Sequence, residues 1–284
     1  MLLEKTSLIL SCVHPPKLDL GKSLKLLTAI ICLSLCCVFE ALGQAKIHGL
    51  PAGALVVETR SLPSRLHANR SLVLWMQNPK KVPSDYGSDD VIPCPFQTRG
   101  SYYSGLTRVS LVNSTANRII NTVKIQESSS PDNDQADGEG TFDVPYAIRK
   151  GYYYHVAAPV RRTVEAKPTI MLLRDYNGDG KALEFALFDA HACMGLQTTL
   201  IGYSEKRDRV IQYPISLDVM EGSKKEHRNA FWADYLFNIK PRRRGYWRFE
   251  IDYTGRGGTL DKWEVRYNAA QERFEGKLMV KREE

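Results

Sequence analysis

Short apolar runs, some strictly alternating with polar residues and some continuous, recur from about residue 54 to the C-terminus, separated by Gly, Asn, Asp, Ser and Pro. Such runs bounded by turn residues predict β-strands. The pattern places them at residues 54–60, 71–77, 107–113, 118–125, 152–158, 169–174, 183–188, 198–204, 209–217, 231–237, 246–253, 262–267 and 273–280. Three pairs read as hairpins, across residues 114–117, 205–208 and 254–258. No segment sustains a 3.6-residue apolar period between helix caps. The expected fold class is therefore all-β, an antiparallel sandwich or distorted barrel of about thirteen short strands. A small propeller-like fold is the alternative, but a ring needs about four four-stranded blades, and no fixed-period repeat is visible.

The N-terminus breaks the pattern. Leu26 to Phe39 form a mainly apolar run, preceded by Lys22 and Lys25 and followed by Ala41-Leu42-Gly43-Gln44-Ala45. A basic start, a short apolar middle and small residues at the exit describe a secretory signal peptide. A bilayer-spanning helix needs about 20 apolar residues. Residues 1–45 are thus expected to be a signal peptide with an N-terminal extension, and residues 46–284 a single mainly-β domain with no transmembrane span. Within it, residues 127–141 (ESSSPDNDQADGEGT) are acidic and rich in Ser, Asp and Gly, and predict a mobile surface loop.

Composition narrows the class. The chain has 284 residues, 43% hydrophobic and 25% charged, with a formal net charge of +7. These values suit a globular domain and exclude a disordered tail or a polytopic membrane protein. Four of the six Cys lie in the leader, so the exported chain keeps Cys94 and Cys193. In an oxidising compartment the pair is a candidate disulfide. Two separately buried thiols are the other reading.

One stretch carries recognisable chemistry. Asp175-Tyr176-Asn177-Gly178-Asp179-Gly180 lies between two apolar runs. Alternate oxygen-bearing side chains can converge on one hard cation when the backbone curls, and glycine permits the curl. Asp175, Asn177 and Asp179 are the candidate side-chain ligands, Lys181 a backbone-carbonyl ligand and Glu184 a closing carboxylate. The competing reading is a metal-free Asx-turn loop. The hexapeptide resembles the calcium loops of EF-hands, dockerins and FG-GAP/VCBS-type repeats, and its strand–loop–strand setting is most similar to the FG-GAP type. The resemblance implies Ca²⁺ and an extracellular β-rich protein. It covers about one-twentieth of the chain and departs from the pattern. Ala186 stands where EF-hands and dockerins have an acid, and Leu183 where FG-GAP loops have one.

Other constellations are weaker. No HExxH, GxSxG or Walker loop occurs. Asp189, His191 and Cys193 could form a transition-metal corner, but no second cluster accompanies them. A Ser–His–Asp triad leaves no local signature, since its members need not be near in sequence, and none is indicated. Asp234, Asp252 and Asp261, close to Trp232, Tyr253 and Trp263, could line a sugar cleft, and paired acids there would permit glycosidase chemistry. The basic runs 240–244 and 206–209 fall at turns, where charge is usually solvated. Asn69-Arg70-Ser71 and Asn113-Ser114-Thr115 are sequons.

The sequence is read as an exported protein, secreted or periplasmic, of binding or structural type at the cell envelope, with one calcium-stabilised loop. Its expected partner is an acidic or carbohydrate envelope component, not nucleic acid. An extracellular hydrolase acting on polysaccharide or glycoconjugate is the alternative, and the absence of a catalytic motif leans against an enzyme.

Overall fold

The apolar runs become strands that stack as three layers. The computed structural model describes residues 47–63, 66–82, 102–127, 138–144, 169–189 and 195–282. The first sheet has the order β1 (Leu55–Ser61), β2 (Arg70–Val82), β3 (Tyr102–Asn113) and β4 (Arg118–Lys124), all antiparallel, with β5 (Thr141–Val144) also paired to β3. A middle sheet is built on β6 (Glu184–Asp189) and β7 (Gln197–Ser204), with β8 (Arg209–Gln212) and the two-residue β11 (Ala233–Asp234) on the far side of β7. In the third sheet, β10 (Lys224–Ala230) lies beside β9 (Ile215–Glu221). Then follow β14 (Arg273–Arg282), β13 (Thr259–Asn268) and β12 (Tyr246–Asp252). The β9–β14 pair is parallel and the other pairs are antiparallel. None of the sheets closes into a barrel. The fold is an all-β sandwich.

The middle sheet is buried on both faces. Phe185 and Leu187 of β6 and Ile201 and Tyr203 of β7 join Leu72, Leu74, Met76, Val109 and Leu111 of the first sheet in one core. Their neighbours Ala186, Phe188 and Leu200 point the other way, into a second core with Ile215, Leu217, Trp247, Val265 and Phe274 of the third sheet. Side chains alternate across a strand, so a two-sided core buries successive positions: β6 supplies the apolar run Phe185–Phe188, while β7 (QTTLIGYS) is buried throughout, Gln197, Thr198, Thr199 and Ser204 included. Each fully buried Leu, Ile or Phe contributes roughly 1.5–3 kcal/mol. The second core is aromatic, with Phe237, Trp247 and Phe274 ring centroids 5.1–5.9 Å apart. A smaller cluster of Ile47, Leu50, Val73, Trp75 and Val112 covers the outer face of the first sheet.

Several expected strands are changed for identifiable reasons. The run 209–217 divides at Tyr213-Pro214. Tyr213 N–H still donates to Leu200 O of the middle sheet at 2.9 Å, while Pro214 O accepts from Phe274 N–H of the third at 2.9 Å. Proline brings no N–H to a ladder, and the chain changes sheet there. Residues 231–237 pair only at Ala233–Asp234, because Thr198 and Thr199 hydroxyls bond Ala233 O and Phe231 O, and Tyr235 has φ +55°. Residues 169–174 form no strand. The Glu58 carboxylate takes the N–H groups of Ile170 and Met171 at 2.6 and 3.3 Å, and only Arg174 bridges to Glu184. Strands β5 and β10 lie outside the expected set, and β10 is a hydrophilic edge strand (KKEHRNA). The expected strand 152–158, the leader and residues 128–137 lie outside the described residues. The ends of the acidic segment are tied together, Glu127 N–H donating to Gly138 O and Gly140 N–H to Ile125 O.

Candidate metal-type loop and the polar face of the third sheet

The DxNxDG segment is a closed loop. Arg174 and Glu184 exchange backbone hydrogen bonds of 2.7 and 3.2 Å, so residues 175–183 turn back tightly into β6. Inside the turn the side chains bond the backbone. Asp175 accepts from Gly178 N–H at 2.8 Å and Gly180 N–H at 3.0 Å. Asn177 Oδ1 accepts from Asp179 N–H at 2.9 Å, and Asp179 Oδ1 from Lys181 N–H at 2.8 Å. Gly178 and Gly180 adopt φ +83° and +89°, which glycine reaches without steric penalty.

The loop rests against the turn before β12. A Cβ on Gly178 would lie 2.8 Å from Arg244 C and Gly245 N, and a Cβ on Gly245 would lie 2.5 Å from Asn177 O. The two backbones approach this closely only because both positions lack side chains. Tyr176 points inward and meets Phe237 edge to face at 6.0 Å.

Glu184 closes the arrangement from below. It is wholly buried, and Gly202, its partner on β7, leaves the room that its side chain fills. One carboxylate oxygen accepts from Tyr176 N–H and the other from Asn177 Nδ2, both at 3.0 Å. Burial, with the negative charges of Asp179 and Asp175 adding to it against those hydrogen bonds, pushes its carboxyl up to about 8. The donor chemistry of Asp175, Asn177, Asp179 and Glu184 is that of a hard-cation site. Among the described residues, no three His, Cys, Asp or Glu converge closely enough to hold a metal on carboxylate, thiolate or imidazole ligands alone. A cation here would need the Asn177 amide and backbone oxygens as well. Lys181 pairs through its ammonium with Glu205.

The remaining candidates separate. Cys94, Cys193 and His191 lie outside the described residues. Asp261 faces inward and accepts from Thr259 Oγ1, whereas Asp252 is exposed and caps Thr254. Asp234 lies in another sheet, and Trp232 and Trp263 are core residues. These acids line no common cleft. The basic run at 206–209 is not merely solvated: Arg207 Nε pairs with Glu272 at 2.5 Å and Asp208 with Arg70.

A different polar cluster spans β9 and β10. Ser216 Oγ lies 3.3 Å from His227 Nε2, and His227 Nδ1 lies 3.0 Å from Asp218 Oδ1. All three line a cleft of about 400 Å³ on the outer face of the third sheet. The sequence pattern singles out neither Ser216 nor Asp218, since the expected strand 209–217 stops short of Asp218, whereas β9 runs to Glu221 and sets both on one face. His227 is hidden as well, because the polar run that forms β10 carries no strand signal.

No family model matches the chain, and no curated protein or solved structure matches it. Among the described residues no helix is long and apolar enough to cross a membrane.

Proposed function

We propose that this is an exported, secreted or envelope-associated β protein of binding or structural type, with a calcium-stabilised loop at residues 175–184. The observation that carries the reading is Glu184, a buried carboxylate set against Asp175, Asn177 and Asp179 with no cationic side chain paired to it among the described residues. Taking a carboxylate out of water is unfavourable unless the charge is compensated. Asp175, Asn177, Asp179 and Glu184 would hold Ca²⁺, with Lys181 O as a backbone ligand, and the ion would supply positive charge and cross-link the loop. It has no catalytic part. The loop joins the start of β6 to the turn before β12, so the ion would stabilise the contact of the middle and third sheets. The net charge of +6 on residues 46–284, 35 basic against 29 acidic, suits an acidic or carbohydrate envelope component as partner.

The test is thermal unfolding in EDTA and in millimolar Ca²⁺, for the wild type and an Asp175→Asn/Asp179→Asn variant. Asparagine keeps acceptors for the loop N–H groups and removes the charge. Binding to the folded state raises the midpoint by mass action. A calcium-dependent rise in the wild type that the variant lacks is the expected result. Equal midpoints in EDTA and Ca²⁺ would reduce the loop to a polar turn.

A further inference from the structure

We propose that Ser216, His227 and Asp218 form a nucleophile–base–orienter relay that hydrolyses small acyl esters of polar alcohols in the cleft on the third sheet. The activity goes beyond the proposed function and uses no residue of the 175–184 loop.

The relay follows from strand register. His227 pairs directly with Asp218 across β10–β9, and Ser216 lies two residues from Asp218 on the same face. The imidazole thus has its two nitrogens on different partners. With Nδ1–H donating to Asp218, Nε2 is left free to accept the Ser216 hydroxyl proton, which is the arrangement a hydroxyl nucleophile requires. The 3.3 Å Ser–His separation is at the long end of a hydrogen bond, and catalytic contacts of this kind tighten when substrate binds. Asp218 is also held by Lys225 Nζ at 3.4 Å, so the orienting group is itself anchored. Ser216 is only 7% exposed and forms part of the cleft floor, with the imidazole beside it.

The cleft contains groups for the developing negative charge. The strand N–H groups of β9 are engaged in the ladders, so that role falls to side chains. Lys277 is the register partner of Asp218 on β14, one step along the same face from Ser216. Arg266 sits beyond Glu275 on β13. Both line the cleft together with Glu264 and Glu275; Arg266 shares the Glu275 charge with Arg273, which leaves Lys277 as the principal cation for the oxyanion. Side-chain donors in an open, wet cleft stabilise an oxyanion less than a preorganised backbone pair does. That selects esters over amides, whose poorer leaving group makes greater demands. The polar lining selects a polar alcohol portion.

In the first step Ser216 Oγ bonds to the ester carbonyl carbon as its proton passes to His227 Nε2. The carbon–alkoxide bond then breaks, and the alkoxide leaves with that proton as the alcohol. Water adds to the acyl-enzyme, giving its proton to His227. Departure of Ser216, reprotonated by His227, releases the carboxylic acid.

The experiment uses the full chain, with p-nitrophenyl acetate as substrate and a fluorophosphonate as covalent probe, the modified peptide being read by mass spectrometry. The expected result is saturable hydrolysis with the probe on Ser216. In Ser216→Ala, kcat/KM should fall by about 100-fold or more while the melting midpoint stays within a few degrees of wild type. His227→Ala should lose labelling. Lys277→Ala should retain labelling and lose kcat more than KM. Absence of probe from the Ser216 peptide of the folded wild type, or hydrolysis by a folded Ser216→Ala within about twofold of wild type, would overturn the proposal.

Discussion

Arg70 and Asp208, 138 positions apart, meet as a two-point fork, Nε to Oδ1 at 2.9 Å and Nη2 to Oδ2 at 2.6 Å. Arg70 opens β2 in the first sheet and Asp208 lies in the β7–β8 turn of the middle sheet. Tyr203 OH also donates to Asp208 at 2.8 Å. At the same hairpin end, Arg207 of the turn and Ser204, the last residue of β7, bind Glu272, which lies in the β13–β14 turn of the third sheet. One hairpin end therefore ties all three layers together.

The fork makes stability acid-sensitive. The Arg70 bond holds the Asp208 carboxyl down to about 2, against an ordinary value of 3.8. A lowered folded-state pKa contributes stability above the unfolded value, which is lost as pH falls from about 4 through about 2. The contribution at neutral pH is about 2 kcal/mol. Asp208→Asn should be less stable by about that amount at pH 7, with the gap closing towards pH 2. Urea unfolding of both proteins across that range is the check, and a constant gap would refute the assignment.

Asn121 imitates a strand. Its Nδ2 donates to Val210 O at 2.8 Å and its Oδ1 accepts from Val210 N–H at 3.0 Å. The side-chain amide thus pairs the backbone of β8 from the neighbouring sheet. Asn121→Leu should cost about 2 kcal/mol, because both Val210 groups lose their partner in a partly buried place. Hydrogen exchange should show faster exchange at the Val210 amide than at Ile201, deeper in the same sheet.

Gly178 and Gly53 separate strain from crowding. Both have positive φ, +83° and +79°, but only Gly178 faces backbone within 3 Å, and Gly53 has nothing within 4 Å. Gly53→Ala should cost about 1 kcal/mol from the left-handed backbone alone. Gly178→Ala should cost at least about 2 kcal/mol, since Arg244 and Gly245 must also move. Equal midpoints for the two variants would show that the loop is not seated against that turn.

Asp175 distinguishes charge from hydrogen bonding. Asp175→Ala removes the acceptor for Gly178 and Gly180 N–H and should lower stability by about 1–2 kcal/mol in EDTA. Asp175→Asn should lose less in EDTA and differ from wild type mainly in Ca²⁺. Thermal unfolding under the two conditions compares them.

Period-two patterning and turn residues determined most of the strands, the three hairpins and the existence of a tight DxNxDG loop, because each depends on residues near in sequence, whereas 169–174, β5 and β10 escaped that pattern. Only the tertiary structure decided the layering, the change of sheet at Pro214 and the parallel β9–β14 pair, which depend on partners far along the chain. The same holds for the most chemical features. Glu184 is perturbed because Gly202 and the core enclose it, and Ser216 meets His227 because a hydrophilic segment with no strand signal pairs at the sheet edge. Local pattern encodes the strand itself, whereas burial and cross-strand register encode what its side chains can do.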